Sequence, residues 1–209
     1  MSPTHLDERE ALAASFLALG PAAPTILPGW DARELMVHLL LRERHSALVP
    51  GLRMPGPYGA RARAVEGELR AADWETLVER LREGPGRLSP LGAVDRLSGL
   101  AEQLIHHEDL RRAQDGWEPR GPDAVSQEDA WRAVRLMAPL TLRVPVRVLL
   151  VSPLGGARVG SRTADASVRV HGEPVDLLLW ATGRERVARV RVHGDDAGRQ
   201  ALAAGGRGL

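Results

Sequence analysis

The stretch AEQLIHHEDLRRA, Ala101–Ala113, decides how the rest of the chain is read. Leu104, Ile105 and Leu110 recur at helical spacing, and two imidazoles and three carboxylates share the same few turns. At about 100° per residue, Glu102 and His106 lie four apart on one face and Asp109 falls nearly on the same line. His107 is turned roughly 100° away. The histidine doublet therefore divides, and only one of the two rings shares the face of Glu102.

Leu97, Leu100, Leu104, Ile105 and Leu110 flank that line on both sides, which turns Glu102 and His106 toward an interior. A carboxylate buried beside an imidazole is costly unless something neutralises and coordinates the pair, and a divalent cation does both. A third donor is available in DARELMVHLLLRERH, where His38 stands among Leu35, Leu39 and Leu41. His38, Glu102 and His106 on two facing helices make an N/O donor set suited to Zn²⁺, Ni²⁺, Fe²⁺ or Mn²⁺, with positions left for water or substrate. Spacing alone leaves two alternatives open: a solvated i,i+4 pair for Glu102 and His106, and a hydrogen-bonded core histidine for His38.

Composition bounds the rest. A chain of 209 residues, 44% hydrophobic and 26% charged, fits one large domain or two small ones of ordinary soluble composition. A formal net charge of +1 gives no bulk reason to expect nucleic acid or membrane as a partner. All 28 basic residues are arginine, with no Lys and no Asn, which reads as the codon usage of a GC-rich genome. The absence of Cys removes disulfides, thiolate ligands and cysteine nucleophiles. MSPTHLDEREAL carries no apolar run, and no segment approaches the roughly 20 apolar residues of a membrane span, so a cytoplasmic location is expected.

Along the chain the first two-thirds is helical by period. A helix ending at Gly20-Pro21 is followed by one capped by Asp31, with Glu34 at the capping-box position, that stops near Pro50-Gly51. GLRMPGPYGA, residues 51–60, reads as a Gly/Pro connection, and the helix after it breaks at Asp73, which caps Trp74 onward. EGPGRLSPLGAVD is a loop, with Asp95 or Ser98 opening the helix of the first quotation. Ser126, with Asp129 three residues on, opens a fifth helix running to about Leu140. LRVPVRVLLV, GARVGSRTA, ASVRVHG and RVARVRVHG then show the Val-rich alternation of strands, with GEPVDLLLWATGR as a helix between the last two. The tail from 201 to 209 is expected to fray. The reading is an α+β protein: a bundle of four to five helices over residues 1–140 and a small α+β domain over 141–209.

GWDARELMVHLLLRER, AEQLIHHEDLRRA about 60 residues later and the Trp-Glu-Pro after it resemble the DinB-like/YfiT-like metal-binding bundles. The branch they are most similar to is that of the mycothiol-dependent maleylpyruvate isomerases. VHGEPVDLLLWATGR with a later VHGD looks like the sterol-carrier-like domain that follows the bundle there. ERxAL near the start and HHEDxRRA are similar to a subgroup described only as metal-binding, of unassigned function.

The resemblance implies a single divalent metal, Zn²⁺ foremost, on His38, Glu102 and His106, and mycothiol as co-substrate. It implies transferase or isomerase chemistry with a small-molecule thiol and a small electrophilic substrate as partners, in a monomer or homodimer. The alternative is a non-catalytic ligand-binding protein with a structural metal. Arg42, one turn past His38, and Arg184, in ATGR, are candidates to hold an anionic substrate. Arg42 is equally a partner for Glu34 or Glu43. Asp109 is a candidate to fix the tautomer of a ligand histidine, or a partner of Arg112. His107 is expected to be exposed or to stand behind the ligands. The five tryptophans read as core or interface packing.

Overall fold

Short polar side chains set the helix starts in the computed structural model, which describes residues 5–85, 94–121 and 125–208. The Asp31 carboxylate accepts the amide of Glu34 at 2.9 Å and opens α2 (Ala32–Arg44), which follows α1 (His5–Leu19). Glu34 does not close a capping box: its carboxylate is bonded to Arg70 of α3 (Gly56–Ala71). Asp73 accepts from the amide of Thr76 and opens α4 (Trp74–Glu83). Each such cap contributes about 1 kcal/mol.

Two boundaries differ from the sequence reading. α2 ends at Arg44 and gives way to a 3-10 helix, Ser46–Arg53, so the chain does not run as one helix to Pro50. The stretch 51–60 is not a plain connection, because Pro57 sits in the first turn of α3, where its missing N–H costs nothing. The loop EGPGRLSPLGAVD lies largely outside the described residues, as does the side chain of the proposed cap Asp95. α5 spans Val94–Arg111.

The described chain forms two compact units. One consists of residues up to 99 together with His106–Pro119; its core is built on Leu12, Phe16, Leu35, Leu39, Leu77 and Leu110, all fully or almost fully buried. Arg9, 4% exposed, ties α1 to α2 and α4 there, with both terminal nitrogens on Glu43 at 2.9 and 2.7 Å and Nη1 on the Leu81 carbonyl at 2.6 Å. A buried arginine is tolerable only when its fork is filled in this way.

The other unit takes Leu100–Ile105 of α5 and the chain from Arg120 onward. Ser126 caps α6 (Gln127–Thr141) through the amide of Asp129. β1 (Leu142–Arg143), β2 (Arg147–Ser152), β3 (Gly155–Gly160), β4 (Ser167–His171), α7 (Pro174–Ala181), β5 (Arg191–Gly194), α8 (Asp196–Ala204) and β6 (Gly206–Arg207) follow. The four-stranded sheet has the order β3-β2-β4-β5, with β2 and β4 parallel and the outer pairings antiparallel. Val148, Leu150, Val168 and Val170 form its buried face and pack with α6 and α7. Every residue of α7 is buried, Asp176 included, whose carboxylate accepts the amide of Arg189 at 2.9 Å. Gly160, at φ +76°, is required where a Cβ would stand 2.3 Å from the Val146 carbonyl oxygen.

The cut at residue 140 falls at the end of α6, and α6 shares its core with α7 and the sheet. The tail does not fray as far as residue 208. Leu202 of α8 is buried, and β6 pairs antiparallel with β1, Leu142 opposite Arg207. The sequence is rich in Ala and Gly there, a composition that hides a short capped helix. Asp195 supplies that cap, accepting the amide of Gly198 at 2.7 Å.

Candidate metal centre

His38 sits on α2, and Glu102 and His106 sit one turn apart on α5. One ligand atom from each lies within 4.8 Å of the others. The His38 and His106 rings meet edge-on with centroids 5.2 Å apart, and the Trp30 ring meets His38 edge-on at 5.2 Å as well. His106 is 6% exposed, while His38 and Glu102 are half-buried. The sequence reading turned all three inward; helical periodicity gives a direction but not a depth, and two of the three reach solvent.

The donor set suits a divalent cation. Nδ1 of His106 is 2.8 Å from Oδ2 of Asp109, a carboxylate with no solvent exposure. A carboxylate there holds the proton on Nδ1 and leaves the Nε2 lone pair free to ligate. Asp109 is held in turn by backbone, its carbonyl accepting the Ile26 amide at 2.9 Å. Among the described residues three side-chain donors come together, short of the four that close a structural site, so a cation held by these three keeps a position for solvent or substrate.

His107 stands apart from this set. It is 2% exposed, not solvated, with Nδ1 2.7 Å from Glu8 Oε1 and Nε2 2.9 Å from Ser15 Oγ. Both partners come from α1, more than ninety residues away. Arg112 bonds Glu108 at 2.6 Å and stacks over Trp117 at 4.6 Å, which accounts for Glu108 on the helix flank opposite the ligands. Of the two arginine candidates, Arg42 is exposed on α2, and Glu34, one of the partners suggested for it, is bonded to Arg70. The Arg184 guanidinium donates to the Thr182 carbonyl at 2.7 Å, at the end of its own helix.

Sequence reasoning missed Trp30 as the wall of His38, and it missed Glu8 and Ser15. The GWD segment placed Trp30 one residue before the α2 cap, which was a local signal; nothing local pairs α1 with His107.

A helical part followed by a small mixed α+β part, with a His/Glu/His cluster on α2 and α5, is an arrangement whose fold can be compared with solved structures. Two solved structures have this fold: that of the mycothiol-dependent maleylpyruvate isomerase, at a TM-score of 0.54 and 17% identity, and that of a histidine-to-alanine mutant of it, at 0.53 and 15%. Each match covers 91% of this chain and 92% of the other. No family model and no curated protein sequence matches the chain. At these identities the likeness is one of fold.

Proposed function

We propose that the chain binds one divalent metal, zinc foremost, on His38, Glu102 and His106 and carries out cytoplasmic transferase or isomerase chemistry with an external low-molecular-weight thiol. The observation that carries this reading is the approach of three N/O donors to within 4.8 Å, two of them from partly buried residues. The fold shared with an isomerase described as mycothiol-dependent supports mycothiol as the thiol.

When bound, a divalent cation lowers the proton affinity of a thiol or water beside it. The residues of the chain set the conditions. Asp109 keeps His106 in one tautomer, and Trp30 and His106 both pack edge-on against the His38 ring. Two neutral imidazoles and one carboxylate balance only half the charge of a dication, so the site favours an anionic partner. Arg42 is proposed to meet a carboxylate on the electrophilic substrate, with Arg184 as the second candidate.

The test is metal analysis of the purified protein followed by titration with mycothiol. One metal per chain, lost in His38→Ala, Glu102→Ala and His106→Ala, is expected, with a saturable response to mycothiol. Metal-free protein whose variants bind added zinc as the parent does sinks the metal reading. Bound metal with no mycothiol response instead supports a non-catalytic protein with a structural metal.

A further inference from the structure

Eleven arginines and six carboxylates follow residue 141, so the small excess of positive charge in the whole chain conceals a basic C-terminal part. Strand register collects that charge on one side. Val148, Leu150, Val168 and Val170 face the core, so their neighbours Arg147, Leu149, Val151, Arg169 and His171 face away. Arg158 stands opposite Leu149, His193 opposite Arg169, and Arg191 opposite His171. The four strands contain no Asp or Glu. Among the described residues Arg158, Arg169 and Arg191 make no ion pair.

The end of this face near the β2–β3 hairpin is also shaped. A recess of about 420 Å³ is lined by Ser152, His171, Arg189 and Arg191, with Glu173 as the one carboxylate on its rim. The hairpin tip beside it presents Leu154, 46% exposed, and the Ser152 hydroxyl accepts the Leu154 amide at 3.1 Å and holds the turn. Leu149 and Val151 lie half-buried among the arginines. No Phe, Tyr or Trp occurs in these strands, and the His171 and His193 rings meet edge-on at 5.1 Å, so a platform of large rings for stacked bases is missing. An exposed leucine at a tip, beside a basic recess with room for a headgroup and a face carrying Arg147, Arg158 and Arg169, complements a lipid headgroup layer better than a nucleic acid backbone.

We propose that the outer face of the β3-β2-β4-β5 sheet docks on an anionic phospholipid surface, with Leu154 entering the interface and the His171/Arg189/Arg191 recess taking a headgroup phosphate.

The experiment is co-sedimentation of the full chain with vesicles of phosphatidylcholine alone and of phosphatidylcholine doped with phosphatidylglycerol. Binding is expected only with phosphatidylglycerol and is expected to fall steeply as salt is raised. Arg169→Gln and Arg191→Gln should each weaken it about fivefold, since one arginine near an anionic surface contributes about that factor. Leu154→Ser should weaken it by roughly tenfold through lost apolar burial. These side chains are exposed, so unchanged melting of each variant checks that the fold is kept. The proposal is overturned by no sedimentation with phosphatidylglycerol, by equal binding to phosphatidylcholine alone, or by variants that bind as the parent does. It is equally overturned if inorganic phosphate or duplex DNA binds this face while vesicles do not.

Discussion

Asp109 Oδ2 lies 2.8 Å from His106 Nδ1, three residues back along α5, and is fully shielded from solvent. A carboxyl group held at that depth fixes the rotation of the ring before any cation arrives. Asp109→Asn keeps the volume and loses the charge. It is expected to lower zinc affinity about 10–100-fold, as loss of such a partner does elsewhere. Competition with a chromophoric chelator measures this, and unchanged affinity would show that the ring is oriented by something else.

The other histidine of the doublet should behave in the opposite way. His107→Ala removes bonds to Glu8 and Ser15 that are 2.7 and 2.9 Å long, in surroundings that exclude water. Zinc stoichiometry should stay at one per chain while unfolding stability in urea drops by about 3 kcal/mol. A variant that keeps its stability and loses its metal would reverse the two assigned roles.

Metal and fold should be linked through His38. If the cation binds only the folded chain, zinc at 100 times its dissociation constant stabilises by about 2.7 kcal/mol. A chelator should therefore lower the melting temperature of the parent and leave that of His38→Ala where it was. Equal chelator sensitivity in both would place the metal elsewhere.

Acid should act on the clamp between α2 and α3. Hydrogen bonding to Arg70 holds the Glu34 carboxyl below the usual carboxylate range, and its charge raises Arg70 in return. A depressed folded value means the contribution is complete above the unfolded-state value and is lost as pH falls through the folded one. Because the pair is partly exposed, Glu34→Gln should cost no more than about 1 kcal/mol at pH 7. The difference from the parent should begin to narrow near about pH 4, where the unfolded carboxyl titrates, and close once the pH has fallen below the folded value. Denaturant midpoints at several pH values give the profile, and a penalty that persists in acid would assign the effect to packing.

Much of this was legible in the sequence because the signals are local. Asp31, Asp73 and Ser126 each cap the helix they were expected to cap, since the carboxylate or hydroxyl and the amide it accepts are three residues apart. The splitting of His106 from His107 follows from helical geometry alone. What escaped depended on distance in sequence or on depth. The partners of His107 are on α1, the carboxylate of Glu34 was taken by Arg70 on α3, and the half-exposure of Glu102 depends on what covers α5. The last helix and strand escaped for a different reason: Ala and Gly carry little pattern of their own, and only pairing with β1 gives β6 a place.

That pairing also orders events during synthesis. Leu142 leaves the ribosome well before Arg207, the residue it must sit beside. At about 5–20 residues per second the gap lasts roughly 3 to 13 s. For that interval the start of the second unit carries an open backbone edge next to Val144 and Val146, both destined for the core. A nascent chain halted before Gly206 is thus the form most exposed to aggregation or chaperone capture, and truncation there should tax folding yield more than the loss of two paired residues suggests.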